Sequence, residues 1–141
     1  MKGYIAEYVD KHHDCVYVVF RVMVGLLFFQ HGAQKLFGWF GGPGGVELAS
    51  LMGVAGVVEF FGGLAIALGL FTRLFALLSA VQMAVAYLKV HIDIAGGLAG
   101  WVPLMNRGEL ALLFLAAFLV ITVHGAVRWG LEEKLTGKEM F

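Results

Sequence analysis

One carboxylate stands in the middle of an apolar run. Glu59 follows Gly-Val-Val and precedes Phe-Phe-Gly-Gly, thirteen residues into the hydrophobic segment 46–71. An ionisable side chain at the centre of a bilayer costs ~2.5–3.5 kcal/mol on insertion scales, so it faces a partner or a cavity, not lipid. The residues three and four positions away are Ala55, Gly56, Gly62 and Gly63, all small. Small residues let a second backbone come close, so the Glu59 face is expected to be a seam between helices. Two roles follow: Glu59 handles protons or a ligand, or it only bonds to a neighbouring helix and holds it in register. A second set, Gln30, His31, Gln34 and Lys35, occupies one arc of the preceding apolar segment, because positions three and four apart share a helix face. His31 and Lys35 lie one turn apart, and either is expected to be within reach of Glu59. His31 is the natural proton carrier of the set, or else a packed core histidine. Lys35, near the end of its segment, is expected to carry its ammonium outward to the membrane interface on its aliphatic stem.

The elements that must position these residues are membrane helices. Of 141 residues, 60% are hydrophobic and 14% charged, with a mean hydropathy of +0.86. Soluble domains run at roughly 45–50% apolar and about 25% charged. About 20 apolar residues cross a bilayer, and four segments qualify: 16–37, 46–71, 74–90 and 110–127. The expected architecture is an all-α, up-down, four-helix transmembrane bundle forming a single domain over residues 1–141. The glycine-rich stretch 39–45 is a loop, and 72–73 is read as a very short turn between antiparallel helices. The connection 91–107 is the longest and the best candidate for a lid. Seven of the ten lysines and arginines (Lys2, Lys11, Arg21, Arg73, Arg128, Lys134, Lys138) fall on the side of the termini, and three (Lys35, Lys89, Arg107) on the other. Positive residues favour the cytoplasm, so both termini are expected there, in a multi-pass protein of the inner (plasma) membrane.

The remaining polar residues have plainer explanations. Arg21 reads as an interfacial arginine or a partner of Asp14. His124 and Arg128 are expected to share the C-terminal end of the last helix, where the macrodipole favours cations. Asn106 and Glu109 have capping-box spacing, with Glu109 a secondary candidate for the outer cavity. One cysteine, Cys15, excludes an intrachain disulfide and dithiol chemistry. His31, His91, Asp93 and Glu109 share the outer half, yet none has helix-face ligand spacing, so no metal or haem site is read. A neutral net charge gives no pull toward nucleic acid. Charged residues precede the first apolar run and no small-residue cleavage site follows it, so that run is expected to be retained as a helix.

Particular stretches carry a family resemblance. The first segment contains His31-Gly-Ala-Gln-Lys35-Leu-Phe-Gly; the second reads Glu59-Phe-Phe-Gly-Gly and ends Gly-Leu-Phe-Thr-Arg73; the fourth opens Asn106-Arg-Gly-Glu109. Over roughly residues 17–131 the chain resembles the DoxX family of small four-helix membrane proteins. It departs from that pattern at His124-Gly-Ala-Val-Arg-Trp, where relatives often have a Gly-Pro-Gly-Arg-like turn. The resemblance implies recurrent polar positions at Arg21, His31, Lys35, Glu59, His91 and Glu109. It also implies association with sulfur-compound oxidation linked to quinone, with terminal oxidases, or with oxidative-stress complexes. The expected function is therefore a quinone-interacting subunit of a membrane oxidoreductase, with quinone the one cofactor in view. Glu59 and His31 would handle protons there. Gln30, His31, Gln34, Lys35, Glu59, His91 and Glu109 would line a polar cavity in the outer half. No centre for accepting electrons is evident, which calls for a partner redox subunit or a homo-oligomer within the bilayer. The alternatives are a transporter or binding protein for a small solute or anion, and a non-catalytic assembly subunit.

Overall fold

The first helix, Tyr4–Phe37, runs without interruption for 34 residues in the computed structural model, which describes residues 3–138. Lys2, counted above on the inner side, lies outside the described residues. At 1.5 Å per residue the helix is about 51 Å long, so its first turns, carrying Glu7, Asp10, Lys11 and Asp14, extend beyond the apolar segment. It stops at Gly38, whose φ of +69° is costly for any residue with a Cβ.

The second helix, Leu51–Leu68, begins five residues later than hydropathy suggests. Ser50 caps it, its Oγ accepting from the Gly53 N–H at 3.0 Å. A π-turn, Val58–Gly62, interrupts the α-helical register around Glu59. The connection to the third helix lies at residues 69–71 and not at 72–73. Gly69 (φ +72°) ends the second helix, Phe71 (φ +43°) completes the turn, and Thr72 already opens the third. That third helix, Thr72–His91, closes on another π-turn, Tyr87–His91. Three single helical turns follow, Ile94–Gly96, Leu98–Trp101 and Pro103–Asn106.

The fourth helix, Glu109–His124, does not start with the expected capping box. Arg107 takes a left-handed conformation (φ +61°), which turns the chain between Asn106 and Glu109. Asn106 instead accepts from the Gly108 N–H at 2.8 Å and donates to the Gly100 carbonyl at 3.1 Å. At the other end, the expectation that His124 and Arg128 share the end of the helix is also overturned. The helix ends at Gly125, and the guanidinium of Arg73 donates to the carbonyls of Thr122, Val123 and His124. Arg128 lies beyond the helix and pairs with Asp14 at 2.9 Å. Arg21 is therefore not the partner of Asp14, nor does it reach outward. It is 1% exposed and donates to the Ala126 carbonyl at 2.6 Å. The short C-terminal helix, Leu131–Thr136, folds back so that the Glu132 N–H donates to the Gly69 carbonyl at 3.1 Å.

Two modes of packing hold the bundle. The first and second helices touch backbone to backbone through glycines spaced seven apart, Gly25 and Gly32 against Gly56 and Gly63. A Cβ on Gly32 would lie 2.3 Å from the Phe60 nitrogen, and one on Gly63 would lie 2.4 Å from the Phe29 nitrogen. The third and fourth helices instead interlock side chains, with Phe28, Ile66, Ala76, Phe114, Phe118 and Ile121 forming the shared core. Among the described residues there is no strand. Three helices are long and apolar enough to cross a bilayer, Tyr4–Phe37, Leu51–Leu68 and Thr72–His91. The fourth is as apolar but has 16 residues. The chain is a membrane protein.

Candidate functional site

Alternating helix direction gathers four helix ends at one end of the bundle: the C-terminal ends of the first and third helices and the N-terminal ends of the second and fourth. Between them lies an open cavity of about 300 Å³. Its walls are largely apolar, built from Phe28, Met52, Met83, Leu110 and Phe114 among others. Its polar lining comes from His31, Lys35, Glu59, Gln82, Lys89, His91 and Arg107.

Glu59 is the centre of this set, buried at 2% exposure. The π-turn that carries it widens the helix there, a distortion that often marks functional sites. Flanking glycines bring both neighbours within reach. Gly56 faces the stems of Lys35 and Leu36, while Gly62 faces Ser79 and Phe75 on the third helix. Glu59 Oε1 consequently accepts from two helices at once: from Lys35 Nζ on the first and from Gln82 Nε2 on the third, the latter at 2.8 Å. The expectation that Lys35 reaches outward is overturned. Its ammonium turns inward to the carboxylate, because an opposite charge in low dielectric outweighs the gain from snorkelling. Glu59 Oε2, Gln82 Oε1 and Ser79 Oγ are buried and have no hydrogen-bond partner among the described residues. Ser79 and Gln82 share a face of the third helix, as Glu59 and Gly62 do of the second. The three orphaned oxygens therefore lie along one interhelical seam.

His31 is half-buried one turn before Lys35, edge-on to Phe114 with ring centroids 5.9 Å apart. His91 belongs to the second π-turn, and its Nδ1 donates to the Asn106 carbonyl at 3.2 Å. Tyr87 in the same turn donates to the Trp101 carbonyl at 3.1 Å, so the long connection is tied to the end of the third helix. Lys89 and Arg107 are exposed at the rim.

The structure thus brings together His31, Lys35, Glu59 and His91 from the expected set. It places Gln30, Gln34 and Glu109 outside the cavity lining. Gln30 and Glu109 are exposed, and Gln34 lies beside the glycine loop, its Nε2 3.4 Å from the Phe40 carbonyl. Sequence reasoning missed Gln82, Lys89 and Arg107. Gln82 carried a usable signal, since it is the one amide in the third apolar segment and sits three residues after Ser79. Among the described residues no group of three or more His, Cys, Asp or Glu side chains could hold a metal ion.

The model of the DoxX family matches residues 16–92, which takes in His31, Lys35, Glu59, Gln82 and His91. An uncharacterized protein of Haemophilus influenzae is 36% identical over 133 residues, covering 92% of this chain and 97% of the relative. A Bacillus subtilis protein named "Putative oxidoreductase CatD" is 27% identical over 121 residues, covering 83% and 84%. No solved structure gives a significant match.

Proposed function

The chain belongs to the DoxX family, and from that premise we propose that it is the quinone-binding membrane component of an oxidoreductase. The observation that carries the proposal is one carboxylate bonded by an ammonium and an amide from two other helices, at the edge of an apolar cavity of ring size. The name of the Bacillus subtilis relative points to the same class of reaction.

The residues present fit a quinone head group, which asks for apolar walls and a few hydrogen-bond donors to its carbonyl oxygens. His31, Lys35 and Gln82 are the donors beside Glu59, and Phe28, Met83 and Phe114 supply the walls. Bound there, a quinone supplies a ring that exchanges electrons together with protons. Glu59 Oε2, buried and without a bond, is the atom at which this chain would hold or release a proton. His31 stands a turn from Lys35 as the second proton carrier, and His91 borders the cavity from the third helix. Electrons come from a partner subunit or a second copy, since no side-chain cluster among the described residues is built to pass them. The fourth helix completes a four-span, single-domain bundle over residues 1–141. Both termini lie on the cytoplasmic face of the inner (plasma) membrane, and the cavity opens on the outer side.

The test is mass spectrometry of an organic extract of the purified protein, counting quinone per chain. Near-stoichiometric quinone that falls to background in His31→Ala and Glu59→Gln variants supports the proposal. Quinone no higher than in an unrelated membrane protein prepared alongside overturns it.

A further inference from the structure

We propose that the cavity selects an organic anion: an apolar body of ring size with one ionised acidic group, the acidic group seated between Lys89 and Arg107. The inference rests on reading this cavity as the ligand site, and it adds the charge that the ligand must carry.

Three lysines and arginines fall on the side of the bundle opposite the termini, and all three line this one cavity: Lys35, Lys89 and Arg107. Of the four carboxylates on that side, Glu47, Asp93 and Glu109 are absent from the lining, and only Glu59 faces in. Three cations against one carboxylate leave a formal surplus of two positive charges when His31 and His91 are neutral. Glu59 meets the charge of Lys35. Lys89 and Arg107 make no side-chain hydrogen bond or ion pair among the described residues.

Nor are the two rim cations simply helix-end lysines and arginines left to solvent. Lys89 is carried by the π-turn Tyr87–His91. Arg107 occupies a left-handed conformation usually taken by glycine or asparagine. That turn is held in place by Asn106 Oδ1, which accepts from the Gly108 N–H, and by close packing on the third helix. A Cβ on Gly108 would lie 2.5 Å from the Tyr87 ring. Two backbone irregularities on different elements therefore bring cations to the same opening, and strained backbone of this kind collects at ligand sites. Beside apolar walls, a pair of uncompensated charges raises the local concentration of an anion at the opening.

The experiment compares two ring-matched probes on the full-length protein in lipid nanodiscs by titration calorimetry: neutral menadione and naphthoquinone sulfonate, which carries a fixed negative charge. The anionic probe should bind about ten-fold tighter or better, an advantage that shrinks with added salt. Lys89→Gln with Arg107→Gln should bring the affinity for the sulfonate down to that for menadione, whereas Lys134→Gln at the far end leaves the advantage intact. Equal affinity for the two probes, or an anionic preference that survives the double substitution, overturns the anion proposal while leaving quinone binding standing. Binding of the sulfonate alone upholds the anion proposal and overturns the membrane-quinone reading. Binding of neither probe overturns both.

Discussion

Replacing Lys35 by Met, alone and together with Glu59→Leu, separates the two roles that the buried pair could play. Lys35→Met leaves a carboxylate at 2% exposure with only the Gln82 amide bonded to it. Removing one partner of a buried ion pair costs about 3–5 kcal/mol, because the remaining charge is neither solvated nor paired. Glu59→Leu should cost less, about 1–2 kcal/mol, because the Lys35 side chain is 24% exposed and its flexible stem lets the ammonium reach water. The double variant replaces the pair with two apolar side chains of similar bulk, which is often near neutral. Its stability should return to within about 1 kcal/mol of the parent, giving a coupling energy of about 3 kcal/mol or more. Equilibrium unfolding by sodium dodecyl sulfate in mixed micelles, followed by tryptophan fluorescence, measures each corner of the cycle. Menadione binding is then measured on the double variant once its unfolding free energy lies within about 1 kcal/mol of the parent. Lost binding in a stable double variant assigns the pair to the ligand, whereas full binding reduces it to a brace between helices. A loss below about 1 kcal/mol for Lys35→Met would refute the reasoning itself, because exposed pairs contribute only that much.

Adjacent glycines should respond in opposite ways. Gly63→Ala pushes a methyl to 2.4 Å from the Phe29 nitrogen, where only movement of a whole helix relieves the clash. It should destabilise by about 1–3 kcal/mol in the same unfolding assay. Gly62→Ala meets the Ser79 hydroxyl at 3.4 Å and should fall within about 0.5 kcal/mol of the parent or slightly above it, through helix propensity. Equal losses at the two positions would contradict the glycine seam. At the opposite end of the bundle, Arg21→Met keeps the bulk but strips the buried Ala126 carbonyl of its 2.6 Å donor, at a cost of about 2–3 kcal/mol. Limited proteolysis should then cut around residues 126–131 before the bundle unfolds, and unchanged protection there would show that Arg21 does not hold this segment in place.

How much of this was legible in the sequence depends on whether a feature is periodic or local. Hydropathy located every long helix because burial in lipid imposes a length and an apolar composition, which single residues do not disturb. Glu59 and its small neighbours were legible for the same reason: a carboxylate at mid-span with glycines a turn away admits few arrangements. The inward turn of Lys35 was not. It depends on the first and second helices touching at Gly32 and Gly56, so that an ammonium near the end of one helix reaches the centre of the next. That register belongs to a pair of segments and is written in neither alone. The capping box at Asn106 and Glu109 failed for the complementary reason. The spacing was right, but Arg107 took a backbone conformation that propensity assigns to other residues. The two π-turns are the deepest case. Each adds a residue to a helical turn without changing hydropathy, and so leaves no mark on an apolar pattern. Yet one carries Glu59 and the other Lys89 and His91. An ideal helix running straight through the first turn would rotate the residues beyond it by about 100° relative to those before it, so Glu59 stands where the helix changes face.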